Sequence, residues 1–238
     1  MSIPPHIVRY KFGLQEDGEA ITYDIDTDFK LADETVDQSA EYPDWTRLEK
    51  NKCECCPLKT SEHTYCPAAI RIHSVLERFK GHGSIQKVDL TVETEKRNYS
   101  ARCDLQSALN SMIGLQMATS GCPVVGKLRY MATFHVPLSS FSETLYRGIS
   151  GYLTKQYFKQ QAGEDPDWEL HGLREFYLEL ETLNRDFSMR INEIEQNDAI
   201  SNTMVIFFSA SLIVADLIEG GLDDYKSYFT GESSESPD

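Results

Sequence analysis

The sequence predicts an α+β protein whose N-terminal part holds antiparallel β-hairpins and whose C-terminal part is a helical bundle. Two regions in the N-terminal half alternate apolar and polar residues, which is the pattern of strands with one buried face. From residue 104 onwards, apolar residues recur instead at intervals of three and four, as on one face of a helix. Strands that precede helices, rather than alternate with them, are typical of the α+β class.

Each of the two hairpins is predicted from a pair of alternating stretches. The first hairpin has strands over 7–14 and 21–26, joined through a turn at 16–18 that contains a glycine. The second has strands over 85–93 and 97–103. In both hairpins the apolar set falls on one face, so we expect that face to be buried.

Between the hairpins we expect an acidic surface loop over 32–44, a short strand over 45–48, a cysteine-rich segment and one helix. The helix begins at Pro67, because proline at the first helical position gives up no hydrogen bond, and it ends before Gly81. The cysteine-rich segment therefore leads directly into a helix.

Four helices are predicted in the C-terminal part, and residues 128–136 are predicted to be extended. The last helix is apolar nearly all round, so we expect it at the centre of the bundle. Gly148 and Gly151 lie within the second helix, where glycine costs about 1 kcal/mol relative to alanine, and they indicate the close approach of another backbone. The four helices cover residues 104–119, 140–158, 168–196 and 199–218.

These elements divide the chain into three parts. Residues 1–103 form a lobe of β-hairpins with the cysteine knuckle, and residues 104–222 form a helical lobe packed on it. Residues 223–238 are acidic and rich in serine, and we expect a disordered tail. No linker rich in Gly, Ser or Pro separates the two lobes, so they form one integrated unit or two tightly packed ones.

The charge of the chain bears on its partners and its compartment. The 38 acidic and 23 basic residues give a net charge of −15, which opposes binding to nucleic acid or anionic membranes and favours a protein partner that is basic or amphipathic. The N-terminus has no signal-peptide pattern, and the most apolar window, 204–218, is shorter than the roughly 20 residues of a membrane span. We therefore expect a soluble, cytoplasmic protein, in which clustered cysteines are metal ligands or redox groups rather than disulfides.

Four of the six cysteines fall within one short segment, which indicates a metal site. Cys53 and Cys56 have the C-x-x-C spacing with which two thiolates in a tight turn bind one ion. Cys66 follows in the same segment and is the third predicted ligand.

The fourth ligand is His63, Cys55 or a residue that is distant in sequence. The best distant candidate is Cys122, because it lies in a turn after a helix, where the preceding glycine gives the backbone freedom. Cys103 falls on the apolar face of a predicted strand and is interpreted as a core residue.

Zinc is the predicted metal, since soft thiolates select it, and an iron–sulfur cluster on the same cysteines is the alternative. Cys56, Cys66 and Cys122 each precede a proline, as one ligand of a ferredoxin cluster does, but the compact C-x2-C-x2-C run of ferredoxins is absent. Unligated thiols and a redox-active dithiol of Cys53 and Cys56 are the remaining interpretations.

A polar pocket between the two lobes is a further possibility. His135 precedes a helix that carries Glu143 and Arg147, and these residues could line such a pocket with Arg129 and Tyr130. The competing interpretation is that Glu143 and Arg147 form an i,i+4 ion pair on an exposed helix face.

Six segments spread along the chain carry a resemblance to a known family. They are Cys53-x-x-Cys56-Pro57-Leu58, Glu62-His63-x-x-Cys66-Pro67, Ala118-Thr119-Ser120-Gly121-Cys122-Pro123, Phe134-His135-x-Pro137, Tyr152-Leu153-x-x-Gln156-Tyr157-Phe158 and Pro166-Asp167-Trp168-Glu169-Leu170. On these segments the chain resembles an uncharacterised bacterial family that is known only as a domain of unknown function. The resemblance implies no activity. It implies that the family pattern includes Cys53, Cys56, His63, Cys66 and Cys122 but not Cys55 or Cys103, which favours Cys122 as the fourth ligand over His63.

The expected function is that of an interaction or regulatory module with a structural zinc site. A site closed by four cysteines, or by three cysteines and a histidine, has no open position for catalysis. The alternatives are a redox or sensor protein with an iron–sulfur cluster and an enzyme that uses the pocket near His135 and Arg147.

Overall fold

The computed structural model describes residues 3–14, 20–28, 39–192 and 198–231. Within these residues an antiparallel sheet is followed mostly by helices, which confirms the predicted α+β class. The strands are β1 (Ile7–Gly13), β2 (Ala20–Asp26), β3 (Lys87–Glu93) and β4 (Asn98–Asp104). The helices are α1 (Pro67–Arg78), α2 (Leu105–Ala118), α3 (Arg129–Thr133), α4 (Phe141–Gln161), α5 (His171–Asn192), α6 (Asp198–Glu219) and α7 (Asp223–Thr230).

The four strands form one antiparallel sheet in the order β2-β1-β3-β4. Both predicted hairpins are present, β1 with β2 and β3 with β4, and β1 connects them by pairing with β3. Alternate side chains of a strand point to the same face, and Val8, Tyr10 and Phe12 of β1 are accordingly buried together. The turn predicted at 16–18 lies outside the described residues.

Helices α1 and α2 connect the sheet to the other helices. Helix α2 packs against α1, β3, β4 and α6. The ring of Phe12 on β1 lies 5.0 Å from the ring of Phe79, which follows α1. The buried side chains form one hydrophobic core that includes residues of both the sheet and the helices.

Helices α4 and α5 have well-defined starts. Helix α4 begins with a capping box, in which Ser140 and Glu143 each accept the backbone N–H of the other. At the start of α5, the carboxylate of Asp167 accepts the Tyr152 hydroxyl at 2.8 Å and the Gly172 N–H at 2.7 Å. Asp167 therefore ties the middle of α4 to the first turn of α5.

Two segments that were predicted to be extended contain helical turns. Asp44–Thr46 is a turn of 3-10 helix, and the next residue, Arg47, forms only an isolated β-bridge with Tyr65. The region 128–136 contains α3 and follows a second 3-10 turn at Val125–Leu128. Within it, Arg129 and Ala132 are buried three residues apart, as on one helix face.

The expectation that the last long helix lies at the centre of a bundle is wrong. Helix α6 packs against α5 and α2, but Val205, Ile206 and Ile213 are 59%, 38% and 48% exposed. Because α6 is apolar on all sides, its sequence does not indicate which face packs against other helices and which face is exposed. No helix among the described residues has the length and apolar content that crossing a membrane requires.

The predicted disordered tail also needs correction at its start. Residues Asp223–Thr230 form α7 rather than an irregular tail, and 232–238 lie outside the described residues. The two glycines of α4 face tyrosine side chains rather than another backbone. A Cβ atom at Gly151 would lie 2.1 Å from Cε2 of Tyr130, and one at Gly148 would lie 2.7 Å from the hydroxyl of Tyr177.

Candidate functional site

The cysteine-rich segment is a loop whose two ends are joined by backbone hydrogen bonds. The N–H of Leu48 donates to the Thr64 carbonyl at 2.9 Å, and the N–H of Cys66 donates to the Thr46 carbonyl at 2.7 Å. Inside the loop, the N–H of Cys56 donates to the carbonyl of Cys53 at 2.9 Å. This last bond closes the tight turn that the C-x-x-C spacing requires.

Two of the predicted ligands, Cys66 and Cys122, have the same local structure. Cys66 is the N-cap residue of α1, and the backbone N–H groups of Ala69 and Ala68 favour its thiolate, which opposes the rise in its pKa that burial causes. Cys122 precedes the 3-10 turn, and the backbone N–H groups of Val125 and Val124 act on its pKa in the same way. In each case the residue directly after the cysteine is proline, which has no N–H, so the donors are the second and third residues after the cysteine. These donors favour the thiolate form, since they point positive dipoles at the sulfur.

The four predicted cysteine ligands lie in one neighbourhood, although Cys122 is far from the other three in sequence. Burial raises the pKa of Cys53, and the charges of Cys66, Cys55 and Cys122 add to that effect. Burial likewise raises the pKa of Cys122 to about 12, with contributions from Cys66 and Cys56. Ionisation of a thiol in the loop would therefore disfavour ionisation of Cys122, which follows α2, and the reverse also holds.

The thiols are neighbours, but they are not in coordinating positions. No group of three or more His, Cys, Asp or Glu side chains within the described ranges is arranged so that it could hold a metal ion. Cys53, Cys66 and Cys122 are buried, Cys55 and Cys56 are partly buried, and all are free cysteines.

The other predicted ligand, His63, lies within the cysteine-rich loop, and the excluded cysteine, Cys103, lies on the sheet. His63 occupies a turn in which its N–H donates to the Lys59 carbonyl at 3.0 Å, and its imidazole makes no hydrogen bond or ion pair with the residues that are described. Cys103 is on β4, opposite Val88 of β3, and lines a cavity that is described below.

Helix α5 contributes three residues to this neighbourhood that the sequence analysis did not identify. The Cys53 sulfur lies 4.0 Å from the Leu183 carbonyl oxygen, and the carboxylate of Asp186 accepts the backbone N–H of Glu54 at 2.7 Å. Arg190 follows one turn later and is 1% exposed. These positions lie three or four residues apart, so one face of α5 holds the cysteine loop.

The guanidinium of Arg190 is a buried positive charge that acts on the thiols of Cys53 and Cys66. It donates to the carbonyls of Trp45 and Arg47, each at 2.7 Å, and to that of Asn51 at 3.1 Å. Burial raises the pKa values of Cys53 and Cys66, and the charge of Arg190 opposes this by favouring their thiolates. No carboxylate of the described chain lies within ion-pair distance of Arg190.

A second candidate site is a cavity of about 620 Å³ between α2, α4, α5 and α6. His135 and Arg147 both line it, whereas Arg129 and Tyr130, which the sequence analysis placed with them, do not. Arg147 does not form the expected surface ion pair with Glu143. Its Nη2 turns inward and donates to the carbonyl of Met131 at 2.7 Å, while Glu143 serves the capping box of α4.

A short hydrogen-bonded chain lies at the sheet side of this cavity. The Tyr10 hydroxyl contacts Nε2 of His135 at 2.5 Å and Oγ of Ser111 at 2.7 Å. Burial, with the nearby charge of Arg147 as the smaller cause, lowers the pKa of His135 to about 3, so the imidazole is neutral. Tyr10 and Ser111 carry no motif, and a tyrosine on the buried face of a strand was the only signal in the sequence.

Comparison with known proteins gives a family but no activity. No curated protein and no solved structure matches the chain. A protein-family model described as "Domain of unknown function (DUF6901)" matches residues 7–230, which includes both candidate sites. Because the match covers nearly the whole chain, the chain belongs to the DUF6901 family.

Proposed function

We propose that this chain binds a structural zinc ion through Cys53, Cys56, Cys66 and Cys122 and acts as an interaction or regulatory module. The observation that carries the proposal is the electrostatic contact between the thiols of the C-x-x-C loop and Cys122, which is provided by a different part of the chain. The zinc would fasten the cysteine loop to the turn after α2. Metal binding would then contribute directly to the folding free energy.

The surroundings of the thiols favour an anionic centre. A zinc ion with four thiolates carries net negative charge, and burying that charge is costly unless it is compensated. Arg190 offers a buried positive charge without a carboxylate partner in the described chain, and the turns at Cys66 and Cys122 each offer two backbone N–H donors.

Zinc binding requires the thiols to move closer together. A Zn–S bond is about 2.3 Å long, and four sulfurs must surround the ion tetrahedrally. The sulfurs lie in a loop and in a turn, where small backbone changes cost less than they do within a helix or strand. A closed four-cysteine site leaves no position for substrate, so the metal has a structural role.

The acidic composition supports a basic or amphipathic protein as the partner of such a module. The net charge of −15 would speed the encounter with a basic surface and would do so less at high ionic strength. An association rate that does not change with salt concentration would argue against a partner of this kind.

The proposal is tested by the metal content of protein purified anaerobically without a metal-affinity tag. Elemental analysis and a visible spectrum are taken on the same sample, and a Cys103→Ser variant serves as the control for a cysteine outside the cluster. About one zinc per chain in both proteins, without colour, is the expected result. Iron with labile sulfide and a brown colour would indicate an iron–sulfur cluster in place of zinc. Backbone N–H groups near the sulfurs would then tune the reduction potential of that cluster. The absence of both metals would overturn the proposal.

A further inference from the structure

The cavity between α2, α4, α5 and α6 places the guanidinium of Arg147, which has no carboxylate within ion-pair distance in the described chain, beside a large apolar volume. From this juxtaposition we propose that the cavity binds an amphipathic carboxylic acid, a molecule with one carboxylate and a long apolar body. The residues that line this cavity are different from the four proposed zinc ligands.

The size and walls of the cavity suit the apolar body of such a ligand. Its volume of about 620 Å³ falls within the range of pockets that enclose small organic ligands. Most of the wall is apolar and comes from all four helices and the segment after α3. The apolar lining includes Leu115, Leu128, Val136, Phe141, Leu180 and Phe207.

Arg147 supplies the charge that the carboxylate would contact. Its Nη2 is used by the Met131 carbonyl at 2.7 Å, but its Nε is buried and has no hydrogen-bond partner. No carboxylate of the described residues lies within ion-pair distance of this guanidinium. A buried cation without an anionic partner is costly, and a ligand carboxylate in the cavity that Arg147 lines would provide that partner.

The polar groups near Arg147 in the cavity are neutral, so the site favours a ligand with a single negative charge. Asn110 lines the same cavity, but its unpartnered Oδ1 is a hydrogen-bond acceptor, so it offers no bond to a carboxylate. His135 is neutral and already bonded to Tyr10. With one cation and no other charge, the site suits a monoanion better than a phosphate dianion, and Arg147 disfavours a cationic ligand.

The test uses the full-length protein after removal of bound lipid, with dodecanoate as the probe and dodecan-1-ol as its uncharged analogue. Binding is measured by calorimetry below the critical micelle concentration, at a pH where the fatty acid is ionised. Dodecanoate is expected to bind roughly tenfold or more tightly than the alcohol, because only the carboxylate forms a charge-assisted bond with Arg147. Equal affinities, or no binding of dodecanoate, would overturn the proposal.

Two variants separate the charge from the cavity. Arg147→Met is expected to lose the preference for dodecanoate while it still binds dodecan-1-ol, and Arg102→Met, at an exposed arginine of β4, is expected to keep the preference. Ala210→Phe, which fills part of the cavity from α6, is expected to weaken the binding of both ligands. If Arg147→Met does not fold, the wild-type comparison and Ala210→Phe decide the question. Unchanged dodecanoate binding in a folded Arg147→Met or Ala210→Phe protein would contradict the assigned site.

Discussion

Nη1 of Arg190, on α5, donates a hydrogen bond of 2.7 Å to the carbonyl oxygen of Trp45, which lies 145 residues earlier in the chain. The same nitrogen contacts the Arg47 carbonyl, and Nη2 contacts that of Asn51. One side chain therefore holds the chain on both sides of the turn that enters the cysteine loop. Few other contacts in the described structure join such distant parts of the sequence through a single residue.

Replacement of Arg190 by methionine is expected to destabilise the protein by about 3 kcal/mol. The methionine keeps much of the apolar volume but removes the donor of the Trp45 and Asn51 carbonyls, whereas the Arg47 carbonyl keeps the N–H of Lys50 at 3.2 Å. Buried acceptors that lose a charged donor cost about 1–3 kcal/mol each before relaxation. Urea denaturation measures the change in the free energy of unfolding.

The matched control for this variant is Arg185→Met on the same helix. Arg185 is exposed and bonds only to the carboxylates of Glu54 and Asp186, so its loss is expected to change the stability little. Equal effects of the two substitutions would show that Arg190 has no special structural role.

The position of Arg190, unlike its partners, is visible in the sequence. It is three residues after Phe187 and seven after Leu183, so it falls on the apolar stripe that predicts α5. An arginine on such a stripe is either a break in the pattern or a buried cation. Its acceptors are backbone carbonyls, which leave no trace in the identity of the residues, and for this reason the contact could not be predicted.

The Asp167→Asn substitution is expected to cost about 1–2 kcal/mol at neutral pH. The carboxylate accepts hydrogen bonds from Tyr152 of α4 and from Gly172 at the start of α5, and an amide accepts them less strongly. The control is Asp165→Asn, two residues earlier at an exposed position, for which we expect little change. Chemical denaturation of both variants checks the difference.

The contribution of Asp167 should also depend on pH in a defined direction. Burial by itself raises the pKa of this carboxyl, but the bonds from Gly172, Tyr152 and His171 outweigh it and hold the pKa below its usual value. A group whose pKa is lower in the folded state stabilises that state above the unfolded pKa of about 3.9 and loses the effect as the pH falls through the folded value. The stability difference between wild type and Asp167→Asn should therefore shrink in acid, and a difference that grows in acid would contradict this assignment.

Gly151→Ala is expected to destabilise the protein by about 1–3 kcal/mol even though alanine favours the helix by about 1 kcal/mol. The new Cβ would lie 2.1 Å from the ring of Tyr130, which is fixed by a hydrogen bond from its hydroxyl to the Gly148 carbonyl. Tyr130→Leu should remove most of the clash, so a double-mutant cycle on thermal stability should show strong coupling between the two sites. Gly126→Ala, where nothing lies near the new Cβ, is the control and is expected to be close to neutral.

The parts of the fold that were predicted correctly have a simple repeating pattern. Strand β1 alternates at a period of two, and α5 repeats at three and four, so the buried faces follow from the sequence. The segment around Arg129 has neither period over a useful length, and its helical turn depends on tertiary contacts such as the bond from Arg129 to the Asp28 carbonyl at 2.7 Å. The prediction for α6 failed for a different reason. The helix is apolar on all sides, and its composition does not indicate which face packs against other helices and which is exposed.

The metal site stays a prediction, because no group of described side chains is arranged to hold a metal ion. Cysteine spacing restricts which thiols can meet and indicates Cys122 as a distant contributor, and in the structure Cys66 and Cys56 add to the rise in the pKa of Cys122. The cavity was predictable only through His135 and Arg147. Its walls are ordinary apolar side chains of the kind found in any buried helix. The sequence therefore does not distinguish residues that line a cavity from residues that fill a core.

Serine substitutions in the cysteine cluster test the proposed ligands one at a time. Cys53→Ser, Cys66→Ser and Cys122→Ser are each expected to lower the zinc content below one per chain and to reduce the melting temperature by on the order of 10 °C, because loss of a structural metal removes its share of the folding free energy. Cys103→Ser and His63→Ala are expected to retain zinc. Zinc content after gel filtration and a thermal melt of the same samples are the measurements. Retention of zinc by Cys122→Ser together with its loss in His63→Ala would assign the fourth position to His63, and the turn after α2 would then have no part in the site.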